Sequence, residues 1–411
     1  MTFQFHSPLP TGKFSVGVTS HYLVDLSRRE VFAPDLSQPC ELALQIWYPA
    51  DPLHDTPRLA GMTALPWASL ICPPLSLAQP DYAQFFEEVA HRVQAIAEIW
   101  NYPKRIGQVE THAYPHAPLS EAGSPYPVIL FSHGNGGYVT QTAYLMEELA
   151  SHGYIVIAVG HTYDGFLTVF PDGRMIPRQE DHPLRKAVSE EWEKALPVFK
   201  EIENSTSLLF KQQRLSELYI DGEIFKLAPT YPRLIQQRRD DLAFVIDELY
   251  RLNTGANWLL GDALDLNRLG ALGYSMGGEG VSDLCVTEQR ISVGIAIDSV
   301  LWGYLLGRSI TQPFFCIYAE KGERVDLPET NRPAIIVNNT AHGSFSSGAV
   351  WWESLGDTDR IGTISIARCH EITRRYVLAY LNHHFYHVGD DILTEPSSAY
   401  PEVSYLYSPL A

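Results

Sequence analysis

The segment Gly273-Tyr-Ser-Met-Gly277 places a serine between two glycines with the spacing G-x-S-x-G. The apolar residues 269–272 before it predict a buried strand, and the residues after it predict the start of a helix. A tight turn between such elements lifts a serine hydroxyl out of the sheet, where a base can activate it as a nucleophile. The motif therefore predicts Ser275 as a nucleophile, although an isolated G-x-S-x-G is also compatible with an ordinary glycine-rich turn.

A nucleophilic serine needs a base, and His342 is the candidate. It lies in Asn339-Thr-Ala-His-Gly343, just past the last strand candidate, among small residues that leave room for a loop. On a strand–turn–helix serine site the triad partners follow the nucleophile in the order acid, then histidine. His133 precedes Ser275 in the chain, so we expect its side chain to brace its own loop by hydrogen bonding.

The acid of the triad has three candidates. Asp298 directly follows the apolar strand candidate 291–297, so it is predicted at the carboxyl edge of the sheet beside the serine turn. A carboxylate at the end of an apolar stretch is costly to bury without a partner. Glu320 and Asp326 follow the next strand candidate, which is another position that suits the acid. We predict Asp298 and keep Glu320 and Asp326 as alternatives.

The glycine-rich segment Ser132-His-Gly-Asn-Gly-Gly137 follows a continuous apolar run. In a strand–turn–helix serine hydrolase, the loop at this position and the residue after the nucleophile donate two backbone N–H groups to the oxyanion. This predicts an oxyanion hole formed by the N–H groups of Asn135 and Met276. The alternative is a glycine-rich turn used only for tight packing.

The elements that must position these residues follow an alternating strand and helix pattern. Two early segments alternate apolar and polar residues, as half-buried antiparallel strands do, and the later strand candidates are continuously apolar. The strand candidates are residues 14–24, 41–48, 128–131, 154–159, 268–274, 291–297, 314–318 and 334–337. The pattern predicts an α/β-hydrolase fold: a mostly parallel sheet of about eight strands with helices on both faces, as a single domain over residues 1–411.

Two helical regions lie outside this alternation. Residues 81–100 place an apolar stripe on one helix face, and residues 175–235 form a charged, mostly helical insertion before the helix at 240–252. Insertions at the carboxyl edge of such a sheet lie over the active site. We predict that 175–235 covers Ser275 as a lid; the alternative is packing on the flank of the sheet.

The composition of the chain limits the kinds of molecule that the protein is expected to bind. The net charge of -18 argues against binding to nucleic acid or to anionic lipid, and it allows a small-molecule ester or lipid substrate. We find no signal peptide and no apolar run long enough to span a membrane, and so predict a cytoplasmic protein. No metal-ligand spacing, phosphate loop or dinucleotide motif is present, so no cofactor is predicted. The five scattered cysteines indicate free thiols: Cys40, Cys72, Cys285, Cys316 and Cys369.

At these motifs the chain resembles the platelet-activating-factor acetylhydrolase family in its plasma and intracellular type II form. The similar stretches occur in the family's order along most of the chain: Pro10-Thr-Gly-Lys-Phe-Ser-Val-Gly17, Gln45-Ile-Trp-Tyr-Pro49, Phe131-Ser-His-Gly134, Ala150-Ser-His-Gly-Tyr-Ile-Val156, Gly273-Tyr-Ser-Met-Gly-Gly278, Gly294-Ile-Ala-Ile-Asp298 and Ala341-His-Gly-Ser-Phe345. The sequence departs from the family at Asn135, where an apolar residue is usual, and in the 175–235 insertion.

The resemblance implies calcium-independent hydrolysis of short or oxidised acyl groups from esters, and it favours Asp298 as the acid. Three further activities use the same triad and stay open: those of a lipase, a thioesterase and a polyester hydrolase. A binding protein with an inactive hydrolase fold is the alternative from another class. The presence of Ser275, Asp298 and His342 together argues against it, because a binding protein has no need of all three.

Overall fold

The computed structural model describes residues 8–51, 111–205, 222–255, 258–299, 301, 310–322 and 332–407, together with six positions between 207 and 218. The predicted helix at 81–100, Cys72 and Asp326 lie outside the described residues. The predicted strands and the three candidate triad residues lie within them.

One large sheet organises the described part of the chain. Its central strands run parallel. The antiparallel pair of β1 (Ser15–Arg29) and β2 (Pro39–Ala50) joins them through β2, which lies antiparallel to β5 (Ile155–His161). Its ten strands, in spatial order, are β12 (Val403–Tyr407), β11 (Ala334–Ala341), β10 (Phe314–Lys321), β9 (Val293–Ile297), β8 (Leu264–Tyr274), β4 (Tyr126–Ser132), β5 (Ile155–His161), β2 (Pro39–Ala50), β1 (Ser15–Arg29) and β3 (Ala113–Pro115). The predicted fold class is confirmed.

The number of strands differs from the prediction of about eight. The two additional strands, β3 and β12, are the outermost strands of the sheet. Both are short and only partly buried. An edge strand pairs on one side only and needs no continuous apolar run, which removes the signal that identified the central strands.

Helices cover both faces of the sheet. The helices of the described residues are α1 (Ala143–Ser151), α2 (Pro183–Asn204), α3 (Glu223–Leu227), α4 (Tyr231–Asn253), α5 (Met276–Thr287), α6 (Ala349–Leu355), α7 (Thr358–Ile361) and α8 (Ile366–Tyr386). None of them combines the length and the apolar character that a bilayer-spanning segment requires.

Strand β4 shows why the central strands are apolar throughout. Ile129 and Phe131 pack with α1 and α8 on one face, while Val128 and Leu130 pack with α4 and α5 on the other. Because successive side chains of a strand point to opposite faces, a strand covered on both sides needs apolar residues at every position.

The insertion between β5 and β8 begins with a small hairpin of β6 (Leu167–Val169) and β7 (Met175–Pro177). Helices α2 and α3 follow, and α4 begins at Tyr231, earlier than the predicted helix at 240–252. Pro232 occupies the first turn of α4, where a missing N–H group costs no helical hydrogen bond. Apolar side chains from α2, α3 and the start of α4 form a separate cluster that includes Met276.

Candidate active site

Ser275 occupies the turn between β8 and α5. Its backbone has φ 54° and ψ −131°, a strained conformation for a residue with a side chain. Its N–H donates to the carbonyl of Ile297 (2.9 Å), which ties the turn to the neighbouring strand. A Cβ atom on residue 273 or 277 would overlap backbone atoms, of Gly277 and Ser132 respectively, so both flanking positions require glycine.

His342 follows β11 directly and begins a short 3₁₀ helix. The ring of Tyr274, the residue before Ser275, stacks on its imidazole with centroids 5.1 Å apart. The Tyr274 hydroxyl also donates to the backbone carbonyl of His342 (2.7 Å). The imidazole is 39% exposed, which leaves it accessible to a substrate. These contacts hold the histidine against the serine turn.

Asp298 follows β9 and is fully buried beneath His342. Its Oδ2 accepts a hydrogen bond from Nδ1 of His342 (2.6 Å), and its Oδ1 accepts one from the N–H of Ala319 (2.8 Å). Both oxygens therefore have partners, as a buried carboxylate requires. A Cβ atom on residue 322 would overlap the carboxylate, which makes Gly322 a requirement of the site that sequence reasoning missed.

The alternative acid Glu320 has a different environment. It is exposed at the end of β10, and its Oε2 accepts a hydrogen bond from the N–H of Asn339 (2.6 Å). The imidazole of His342 is instead bonded to Asp298. The structure thus brings His342 together with Asp298, and it places the carboxylate of Glu320 on a backbone N–H group.

The predicted oxyanion loop passes beside the serine. A Cβ atom built on Gly134 would lie 3.2 Å from Cβ of Ser275. The N–H of Gly134 donates to Oε1 of Gln141 (2.8 Å), so it is already used. Within the described part of the chain, the N–H groups of Asn135 and Met276 donate no hydrogen bond. The role of these two groups as oxyanion donors stays a prediction.

A buried arginine supports this loop from behind. The Arg238 guanidinium donates to the backbone carbonyls of His133 and Gly134 (3.2 Å for the latter) and forms an ion pair with Asp164. His133 accepts from the N–H of His161 at Nε2 (3.3 Å), so its Nδ1–H donates to the Gly134 carbonyl (2.8 Å). Burial, with Arg238 nearby, holds the pKa of His133 well below its usual range, which keeps the ring neutral. His133 therefore braces the loop, as its position in the sequence suggested.

A second serine–histidine–aspartate array lies behind the loop. The Ser132 hydroxyl donates to Nε2 of His161 (2.9 Å), and Nδ1–H of His161 donates to Oδ2 of Asp241 (2.8 Å). All three side chains are buried. A substrate therefore cannot reach this serine, and the array fixes the first residue of the loop to β5 and α4. Sequence reasoning did not identify it.

Glu30 is a buried carboxylate close to this array. It accepts hydrogen bonds from the N–H of Phe32 (3.1 Å) and from Nε2 of Gln237 (3.2 Å). Burial raises the pKa of Glu30 to about 7, with a further contribution from the nearby carboxylate of Asp241. At pH values below 7 the folded protein therefore keeps a proton on this side chain.

The raised pKa predicts a pH-dependent stability. Between pH 4.5, the ordinary pKa of glutamate, and pH 7 the unfolded chain releases a proton that the folded protein keeps. The free energy of unfolding therefore falls over this window, by up to about 3 kcal/mol, and Glu30 causes no further loss above it. We expect Glu30→Gln to be more stable than wild type at pH 8. Its free energy of unfolding, measured with urea between pH 5 and 8, should also lack the fall with pH that Glu30 causes in the wild type. The exposed Glu121→Gln serves as control, and equal slopes in all three proteins would contradict the prediction.

Among the described residues, no group of three or more histidine, cysteine, aspartate or glutamate side chains is arranged to hold a metal ion. The four described cysteines, Cys40, Cys285, Cys316 and Cys369, are free and buried.

The strand–serine–helix turn, the imidazole–carboxylate pair and the sheet order together define an α/β-hydrolase with a serine site. Residues 69–387 match the family model described as platelet-activating factor acetylhydrolase, isoform II. Because the match spans most of the chain, the chain belongs to this family, and the resemblance seen in the sequence is confirmed.

Individual relatives agree with this assignment. A platelet-activating factor acetylhydrolase from Cavia porcellus is 28% identical over 252 residues, 58% of this chain and 52% of that protein; the chain thus spans about half the length of this relative. A probable 1-alkyl-2-acetylglycerophosphocholine esterase from Arthroderma benhamiae is 23% identical over 98% of this chain and 94% of its own length. The solved ferulic acid esterase from Streptomyces cinnamoneus has a TM-score of 0.67 at 21% identity, over 98% of this chain and 100% of that one, and shows the same fold.

Proposed function

We propose that the protein is a serine carboxylesterase in which Ser275 is the nucleophile, His342 the general base and Asp298 the acid. The observation that carries the proposal is the 2.6 Å hydrogen bond between Nδ1 of His342 and the buried carboxylate of Asp298, on a ring that stacks against the serine turn. That bond leaves Nε2 of His342 as the proton acceptor, which is the tautomer a serine hydrolase needs.

The proposed reaction has two halves. His342 removes the proton of Ser275 as the hydroxyl oxygen attacks the ester carbonyl, and the N–H groups of Asn135 and Met276 stabilise the oxyanion. His342 then returns the proton to the departing alcohol. In the second half His342 removes a proton from water as the water oxygen attacks the acyl carbonyl, and it returns that proton to the Ser275 oxygen as the acid leaves. Asp298 stabilises the imidazolium each time it forms.

The proposed substrates are small-molecule esters with short acyl groups. Family membership supports this class, and the relative from Arthroderma benhamiae is named for a 2-acetyl ester. The same chemistry would serve a longer-chain lipase, a thioesterase or a polyester hydrolase, so acyl length and the leaving group decide between them.

A series of p-nitrophenyl esters from acetate to palmitate tests the proposal. We expect the highest kcat/KM for acetate to butyrate, a steep fall beyond them, and labelling of the wild-type protein by a fluorophosphonate probe. Absence of both turnover and labelling in the folded protein would reject the esterase proposal and favour the binding-protein alternative. A maximum at palmitate would favour a lipase.

The insertion at 175–235 is proposed as the element that limits acyl length. Its apolar cluster contains Met276, the residue next to the nucleophile. The Tyr231 hydroxyl donates to Oε1 of Glu279 (2.9 Å), one turn further along α5. The N–H of Thr230 donates to Glu191 of α2 (2.9 Å). These contacts support a lid anchored to the helix that carries the oxyanion donor.

Trp192 offers a direct test of this lid. It packs against the cluster that contains Met276, and its ring meets Tyr231 edge to face with centroids 5.6 Å apart. We expect Trp192→Leu to raise the octanoate-to-acetate ratio of kcat/KM by about tenfold, because the smaller side chain leaves room for added methylenes. Leu196→Ala, an exposed position on the same helix, should leave the ratio unchanged. A Trp192→Leu protein with the wild-type ratio would favour flank packing.

A further inference from the structure

Three arginines converge beside the oxyanion loop. Arg238 and Arg185 both form ion pairs with the buried Asp164. The third, Arg178, follows β7, and its guanidinium lies against the loop: a Cβ atom on Gly136 would overlap its Nη1. Gly136 is the residue after Asn135, the predicted oxyanion donor, so its Cα lies about 4 Å from that of Asn135 along the chain.

Two of these arginines donate side-chain hydrogen bonds within the protein, although the Nε of each is also buried without a hydrogen-bond partner. Arg238 donates to the loop carbonyls and to Asp164, and Arg185 donates to the backbone carbonyl of Tyr163 (2.7 Å). Arg178 differs from them. Its side chain makes no hydrogen bond to the described residues. Its buried Nε lies 3.3 Å from Oε1 of Glu180, which is its ion-pair partner in this part of the chain.

The charge around Arg178 is incompletely neutralised. Its side chain is only 17% exposed, whereas the side chain of its ion-pair partner Glu180 is 52% exposed and well solvated. Burial, with Arg185 next and Arg238 also contributing, lowers the pKa of Arg178 despite the opposing effect of Asp164 and Glu180. A guanidinium remains protonated under these conditions, so an added anion would stabilise it.

We propose that Arg178 forms an anion-binding subsite beside the oxyanion loop, which recognises a carboxylate or phosphate oxygen on an ester whose carbonyl lies at Ser275. The planar guanidinium offers paired N–H donors that match both groups, and its partial burial strengthens the interaction. The inference rests on the proposed esterase function and adds a preference for esters that carry a negative charge near the scissile bond.

The test compares esters with the same acyl group and different charge. We would measure kcat/KM for 4-acetoxybenzoate, its neutral amide 4-acetoxybenzamide, and the phosphodiester 4-acetoxyphenyl methyl phosphate. Relative to wild type, Arg178→Gln should lower the anionic-to-neutral ratio about tenfold or more, the loss expected for a charge-assisted hydrogen bond. Arg178→Lys should retain part of the preference, and Glu180→Gln should increase it. Whether the carboxylate or the phosphodiester ratio responds more strongly identifies the preferred anion.

Arg174 provides the matched control. It lies four residues earlier in an exposed ion pair with Asp172 and Glu41, so Arg174→Gln should leave the ratio and the neutral-ester activity unchanged. An Arg178→Gln protein whose ratio stays within about twofold of wild type, or that loses both activities in parallel, would overturn the proposal and leave Arg178 a structural role.

A binding measurement separates this proposal from the esterase proposal. In the inactive Ser275→Ala protein, calorimetry should detect binding of 4-acetoxybenzoate that weakens about tenfold in the Ser275→Ala/Arg178→Gln protein. Failure of wild-type turnover with this binding intact would reject the esterase proposal alone. Equal binding by the two proteins would reject the anion subsite.

Discussion

Ser275→Ala should lose ester hydrolysis by ~10⁴-fold or more while keeping its fold, because the hydroxyl oxygen is the atom that forms the acyl-enzyme. Alanine keeps the Cβ atom and the strained backbone of the turn, at φ 54°. It also keeps the N–H bond from residue 275 to the Ile297 carbonyl. The change therefore removes only the nucleophile. Steady-state rates with p-nitrophenyl acetate, circular dichroism and fluorophosphonate labelling measure the outcome.

Ser282→Ala is the matched control for this variant. Ser282 lies on α5, the helix that follows Ser275, and is fully buried. Among the described residues its hydroxyl donates to the Glu279 carbonyl of its own helix (2.7 Å) and to no other group. It should retain near wild-type turnover and labelling. A folded Ser275→Ala protein with more than about one hundredth of the wild-type rate would show that another group is the nucleophile.

The central sheet could be predicted because its strands are covered on both faces. Continuous apolar runs located β4, β5 and β8 to β11 within a few residues. Strand ends were less well predicted. β10 continues to Lys321, beyond the predicted end at residue 318, and the prediction stopped short because the last two residues of the strand are polar and exposed. The edge strands β3 and β12 carry no comparable apolar signal, so their pairing depends on neighbours that sequence patterns do not specify.

The candidate site was predictable where it follows the sheet. Ser275 and Asp298 come directly after predicted strands, and His342 follows the predicted strand 334–337 after a short gap that β11 fills in the structure. The carboxyl ends of parallel strands meet at one edge of the sheet. The supporting residues were missed because their contacts span long stretches of chain. Arg238 is hydrogen-bonded to His133, which is 105 residues away in sequence, and to Asp164, which is 74 residues away. No local spacing indicates such contacts.

The two serine–histidine–aspartate arrays show that bonding pattern alone does not define a site. Ser132, His161 and Asp241 have hydrogen bonds of 2.9 and 2.8 Å, lengths that would suit catalysis. Their burial excludes a substrate, whereas the imidazole of His342 is 39% exposed. Exposure therefore separates a structural array from a candidate catalytic one, and exposure is a property of the folded chain.

Asp298→Asn should lower kcat/KM by roughly 10³- to 10⁴-fold with little change in fold. The carboxylate accepts one bond at each oxygen, from Nδ1–H of His342 and from the N–H of Ala319. An amide has only one oxygen to accept them. If the oxygen stays on Ala319, its NH₂ group faces His342 and favours the wrong imidazole tautomer. If the amide is reversed, the NH₂ group opposes the Ala319 N–H. Either arrangement removes the orienting charge that stabilises the imidazolium.

Glu320→Gln separates this role from a general loss of negative charge at the sheet edge. Its carboxylate accepts from the N–H of Asn339, a bond that the glutamine oxygen can replace. We therefore expect near wild-type kcat/KM for Glu320→Gln, and a pH–rate profile that keeps the wild-type dependence on an ionising base. The reverse result, an active Asp298→Asn protein and an inactive Glu320→Gln protein, would transfer the acid to Glu320. It would also leave the 2.6 Å bond between His342 and Asp298 with a purely structural role.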